Sequence, residues 1–259
     1  MRPTQHSFDD LYWMRRALDL ANKMRGHVWP NPPVGCVIVK DGIVLSEAAT
    51  HAGGRPHAER KALDQASANA EGATLYVTLE PCCHYGKTPP CTDAIIAAGI
   101  STVVCAIRDP DPRVNGEGFR KLREAGINVR IGLCADEAKE LMSGFFHRIR
   151  YGVPEVILLD ASSAPTPPGI DALIVSSPDG LRVITRSGDA IKDLDLSGIE
   201  PHRLLARMGE LGLTSVAVAK RDQLAATLSP IIRLPYGTSP DTRPITLQSL
   251  PEDLEAGAW

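Results

Sequence analysis

The sequence predicts an α/β fold: a mixed sheet covered by helices on both faces, followed by a smaller α/β segment. Three observations support this. Over the first 150 residues, short β-branched runs alternate with segments of helical composition. Apolar residues make up 43% of the chain and charged residues 23%, as in a globular protein with a packed core. The composition then shifts after about residue 150, and ASSAPTPPG over residues 161–169 reads as a linker or surface loop.

Ser7 followed by Asp10 resembles a capping box and opens a helix with Leu11, Met14, Leu18 and Ala21 on one face. Residues 34–39 are rich in valine, lie after Pro-Pro and end at Asp41-Gly42, which predicts a strand entering a hairpin. Helices follow at 58–68, 92–98 and 118–125, the last two closed by Gly99 and Gly126. Strands are expected at 74–79, 102–107 and 129–131. The order β-β-α-β-α-β-α-β gives the mixed sheet. We place one domain at 1–150 and a second at 151–259. The second has strand-like runs at 173–175, 181–185 and 214–218 and a helix at 201–211. Its last 31 residues contain Pro230, Pro235, Pro240, Pro244 and Pro251 and read as an irregular tail.

The net charge of −3 gives no electrostatic reason to expect nucleic acid or an anionic membrane as a partner. MRPTQHSFDD contains no apolar core of a signal peptide, and no stretch is long enough to span a bilayer, so a cytoplasmic protein is expected. In that compartment the six cysteines point to metal binding or catalysis rather than disulfides, and Cys82, Cys83 and Cys91 crowd into one short segment. Cys36 and Cys105 lie in predicted strands and read as small core residues; Cys134 reads as inert.

His57, Cys82 and Cys91 offer one imidazole and two thiolates, a good ligand set for one zinc ion, with a fourth position left for water. Bound zinc lowers the pKa of water from about 15.7 to roughly 7 and so supplies a nucleophile at neutral pH. Glu59, two residues from His57, is placed to carry protons while staying off the metal. A structural zinc site with Cys83 or His84 as fourth protein ligand uses the same residue types, but it gives Glu59 no purpose.

H-x-E with P-C-x-x-C is the signature of zinc nucleobase deaminases, and this chain departs from it in the distance between its two cysteines. The cysteine spacing here is C-x8-C. NPPVG at 31–35, HAGGRPHAE at 51–59, TLEPCCHYGKTPPC at 78–91 and DPDPRVNGEG at 109–118 resemble the deaminase half of the bifunctional riboflavin-biosynthesis deaminase/reductase family. The resemblance covers residues 10–150 and implies a cytidine-deaminase-like fold. It implies hydrolytic deamination of 2,5-diamino-6-ribosylamino-4(3H)-pyrimidinone 5′-phosphate, with zinc on His57, Cys82 and Cys91 and proton transfer by Glu59. It also implies that Asn31, His51, His84, Lys87, Asp109 and Asp111 contact the substrate, with the Lys87 ammonium suited to phosphate. The family usually reads DPNP where this chain has Asp111. The expected partners are a small phosphorylated pyrimidine and further copies of the chain. Deamination of another base, nucleoside or tRNA nucleotide, and a non-catalytic scaffold that keeps the zinc site, are the competing readings.

Residues 144–162 resemble the family's junction with its NADPH-dependent reductase. Only about 109 residues follow position 150, where the family has more than 200. Residues 211–228 resemble a late strand-turn-helix of that reductase, but Ala219-Lys220-Arg221-Asp222 replaces its glycine-rich turn. A shortened, degenerate reductase without NADPH activity, serving as a dimerisation or docking scaffold, is therefore expected.

Overall fold

The computed structural model describes residues 8–86, 88–160, 168–178, 180–186, 191 and 199–228. Ser7, Lys87, most of the 161–169 stretch and the proline-rich tail lie outside the described residues.

The N-terminal unit runs α1 (Phe8–Lys23), β1 (Gly35–Lys40), β2 (Ile43–Ala49), α2 (Ala58–Ala66), β3 (Thr74–Leu79), α3 (Cys91–Ala97), β4 (Thr102–Ile107), α4 (Glu117–Glu124), β5 (Asn128–Ile131), α5 (Ala135–Leu141) and α6 (Ser143–Tyr151). Its strands form a five-stranded sheet in the order β2-β1-β3-β4-β5. β1 is antiparallel to both neighbours, and β3, β4 and β5 are parallel. The first five residues of β1 are buried, as a central strand covered on both faces requires. α1 lies on β1 and β3 and α5 on β4, while α2, α3 and α4 form the other helical layer. Met14, Ile38, Leu75, Ile95, Phe119 and Leu122 are fully buried in the core. Cys36 and Cys105 are buried there too, as small core residues.

Asp10 joins the layers. Its buried carboxylate accepts the Tyr76 hydroxyl at 2.7 Å and both terminal nitrogens of Arg130 at 2.7 and 2.9 Å. Hydrogen bonds to a buried charge of this kind are worth about 1.5–3 kcal/mol each.

The sequence reading left α5 and α6 unassigned. α5 buries only Ala138, so it carries no apolar stripe, and Met142 leaves helical geometry between the two short helices (φ −105°, ψ 17°).

A second sheet, ordered β6-β9-β7-β8, is built from β6 (Glu155–Leu159), β7 (Ala172–Ser177), β8 (Gly180–Thr185) and β9 (Ser215–Ala219), with α7 (Pro201–Glu210) and α8 (Gln223–Leu228). β6, β9 and β7 are parallel, and β7–β8 is an antiparallel hairpin. Val156, Ile174, Leu204, Met208, Leu213 and Val216 form its own core. β6 was hidden inside the junction sequence. Among the described residues, no helix is long and apolar enough to cross a membrane.

Candidate active site

His57 is the last extended residue before α2 (φ −66°, ψ 158°), so its ring projects beside the helix start while Glu59 falls in the first turn. Cys82 follows β3, and Cys91 is the first residue of α3, after Pro89 and Pro90. These three connections leave one end of the sheet and bring His57, Cys82 and Cys91 together, with ligand atoms all within 4.8 Å of one another. His57 Nδ1 lies 3.7 Å from Cys82 Sγ and 3.5 Å from Cys91 Sγ. A tetrahedral zinc, with Zn–S near 2.3 Å and Zn–N near 2.0–2.1 Å, sets such nitrogen–sulfur edges at about 3.6 Å. The residues fit the ion.

The first amide of α3 reinforces the site. Cys91 N–H donates to Cys82 Sγ at 3.2 Å, so the helix start favours negative charge on Cys82 as well as on Cys91. Cys82 is pushed down to about 4, first by the hydrogen bond from the Cys91 thiol and then by His57 and the Cys91 amide. Cys91 is pushed up, by the same hydrogen bond and by burial. Cys83 points away: its thiol donates to the Arg113 carbonyl at 3.6 Å, and it is not in the ligand group. Glu59 is 3% exposed, and burial pushes its carboxyl above the usual range. A carboxyl that holds its proton more tightly is better matched to proton transfer near neutral pH.

The other predicted residues flank this group on two sides. Asn31 sits on the 24–33 connection, and its side-chain amide packs against Gly54, where any Cβ would collide with it. Gly54 holds φ +87°, a conformation open to glycine. His51 is exposed, its Nδ1 2.8 Å from the Ala52 carbonyl oxygen. Arg55 Nη1 donates to Thr88 Oγ1 at 2.7 Å, joining this connection to the segment between the cysteines. There, His84 Nδ1 is buried with no hydrogen-bond partner among the described residues. Asp109 and Asp111 follow β4 and are buried, and Asp109 Oδ1 accepts Asp111 N–H at 2.9 Å. Asp111 lies near His84.

Sequence reasoning missed Glu80. This carboxylate, 3% exposed, accepts Gly116 N–H at 2.9 Å on both oxygens, Asp109 N–H at 3.3 Å and Phe119 N–H at 3.3 Å. It ties the end of β3, two residues before Cys82, to the Asp109 segment and the start of α4. The only sequence signal was an acidic residue between an apolar strand and Pro-Cys.

A family model for the cytidine and deoxycytidylate deaminase zinc-binding region matches residues 7–107. The diaminohydroxyphosphoribosylamino-pyrimidine deaminase of Buchnera aphidicola is 45% identical over 146 residues, covering 56% of this chain and 99% of that protein. This chain belongs to the riboflavin-biosynthesis deaminase family. Within that family, the riboflavin biosynthesis protein RibD of Escherichia coli is 43% identical over 219 residues, 85% of this chain and 56% of the relative. The chain spans about half the length of the RibD proteins it matches. A Thermotoga maritima deaminase/reductase structure superposes with a TM-score of 0.72 at 30% identity, covering 86% of this chain and 84% of that one. The fold is thus the cytidine-deaminase-like fold of RibD deaminases, and the family's zinc-binding region contains His57, Cys82 and Cys91.

Proposed function

We propose that the chain hydrolyses the C2 amino group of 2,5-diamino-6-ribosylamino-4(3H)-pyrimidinone 5′-phosphate, with one zinc per chain on His57, Cys82 and Cys91. The observation that carries this is the His57–Cys82–Cys91 triangle of zinc dimensions with buried Glu59 two residues from His57. When bound, zinc supplies Lewis acidity that makes water nucleophilic at neutral pH. Glu59 takes the proton from the water that adds to C2 and delivers protons to the ring nitrogen and the departing amine. The C2–N bond to the amine breaks, and the products are the ring carbonyl and ammonia. Asn31, His51 and His84 orient the ring and ribose, Asp109 accepts from ribose hydroxyls, and Lys87 attracts the phosphate.

The second unit carries no NADPH reduction in this reading. Support comes from the turn after β9. The Asp222 carboxylate accepts Ser176 N–H, the Ser176 hydroxyl and Leu224 N–H at 2.5–2.9 Å, so an anion of the chain itself already uses the donors there. A cytoplasmic location fits six free cysteines. Assembly of identical chains belongs to the same reading, and light scattering tests it.

The deciding experiment follows ammonia release from the phosphorylated diaminopyrimidinone while NADPH absorbance is recorded. Ammonia release without NADPH consumption is expected. Zinc-loaded, folded protein that releases no ammonia refutes the substrate assignment; NADPH consumption refutes the reading of the second unit.

A further inference from the structure

The 24–33 connection, which carries Asn31, lies between the two units and touches both. On the side of the second unit, the Trp29 ring packs against that unit's core. Gly212 meets Pro30 so closely that a Cβ there would lie 2.5 Å from Pro30 Cβ, and Gly26 approaches the Ile170 carbonyl just as tightly. Arg186 Nε, at the end of β8, donates to His27 Nε2 at 2.7 Å. A small cavity between the units is lined by Arg25, Val28 and Pro33 from the connection and by Asp171, Thr214 and Ser215 from the second sheet.

On the side of the deaminase unit, the same segment holds the substrate wall. Gly53 N–H donates to the His27 carbonyl at 2.8 Å, Asn31 N–H donates to the Val28 carbonyl at 3.0 Å, and Gly54 abuts both the Asn31 amide and the Val28 carbonyl. His51 and His57 lie on the strand of chain that includes Gly53 and Gly54. His27 therefore has its ring nitrogen bonded to the second unit and its carbonyl bonded to the substrate wall.

We infer that the second unit is a clamp for the deaminase's substrate wall: it fixes Asn31 and His51 through Trp29, Pro30 and the Arg186–His27 bond, and its loss weakens substrate binding without removing the chemistry. The inference rests on the proposed roles of Asn31 and His51. A connection with apolar and hydrogen-bonded anchors on both sides has few conformations left to lose when substrate arrives. A displacement of about 1 Å in such a wall is enough to cost a large factor in rate or binding. Trp29, Pro30, His27 and Arg186 are positioning residues in this scheme, since none belongs to the His57–Cys82–Cys91 group.

The test uses the full zinc-loaded chain and three variants: Trp29→Ala, Arg186→Ala, and Asp160→Ala as control. Asp160 belongs to the same unit and, among the described residues, forms an exposed ion pair with Lys220. Amide exchange at Gly53 and Asn31 is measured with the steady-state constants for ammonia release. The clamp predicts faster exchange at both amides and a KM raised about tenfold in Trp29→Ala and Arg186→Ala, with kcat and zinc content kept and Asp160→Ala unchanged. Unchanged exchange in both variants overturns it. So does faster exchange with an unchanged KM, or a loss confined to kcat or zinc content. Should wild type release no ammonia from this substrate, the functional reading fails, and the exchange result still decides whether the second unit holds the wall.

Discussion

Arg113 grips the carboxylate of Asp111 with both its backbone and its side chain. Its backbone N–H donates to Oδ1 at 2.9 Å, Nε reaches both oxygens at 3.0 and 3.1 Å, and Nη2 donates to Oδ2 at 2.5 Å. Burial pushes Asp111 up, but the hydrogen bonds from Arg113 outweigh it and hold the carboxyl below its usual range. Asp111 therefore stays charged and neutralised where the family usually has a neutral asparagine. Removing Arg113 alone leaves a carboxylate only 10% exposed without its cation, in the segment proposed to meet the phosphorylated substrate. Arg113→Ala is expected to raise KM about tenfold, and Asp111→Asn added to it is expected to recover most of that loss. A double-mutant cycle on KM checks the coupling, and additive effects would contradict it.

Glu59→Gln keeps the shape of a fully buried side chain but cannot carry a proton. Loss of a positioned general acid–base costs about 10²–10⁴ in rate. The expected result is that loss in kcat with one zinc per chain retained, measured by ammonia release and metal analysis on one preparation. Loss of zinc along with activity would make Glu59 a metal-site residue instead.

The metal triangle was legible because its chemistry is local: His57 and Glu59 share one helix start, and the two cysteines bracket one loop. The β1–β2 hairpin was legible because a β-branched run ends at Asp41-Gly42. α5 was not, since Ala138 is its sole buried residue and a lone small residue makes no periodic signal. Glu80, the Arg113 grip and the bond between His27 and Arg186 depend on where distant or irregular backbone lies in space. His27 and Arg186 are 159 residues apart, and no spacing rule relates them.

Asp109 titrates close to neutrality. Burial is the main cause and raises its carboxyl to about 7, with the charges of Asp111 and Glu80 adding to the effect, while the Asp111 amide and Arg113 oppose it. A carboxyl raised in the fold contributes stability that is complete below its unfolded value of about 3.9 and is lost as pH rises through the folded value. Wild type should therefore lose stability relative to Asp109→Asn between about pH 4 and pH 7, by up to about 4 kcal/mol. Urea melts of both proteins across that window check the sign. If Asp109 meets the ribose as proposed, its ionisation in the same range turns it into an acceptor-only group for ribose hydroxyls, so KM should fall as pH rises through about 7.

Glu80 offers only acceptors to a cluster of backbone donors. Glutamine in its place must turn an amide NH₂ toward at least one of the N–H groups of Asp109, Gly116 or Phe119, leaving a buried donor unpaired at a cost of about 1–3 kcal/mol. It also removes a negative charge from the start of α4. The consequence reaches the site in two directions, because Glu80 is bonded to the Asp109 amide and stands two residues before Cys82. Glu80→Gln should therefore lower stability by that amount and raise KM while zinc remains bound, as the ligand side chains are untouched. Denaturant melts, KM and zinc content on the same variant decide the matter. A stability loss with an unchanged KM would mean that Glu80 braces α4 alone; zinc loss would mean that its main load is the backbone of Cys82.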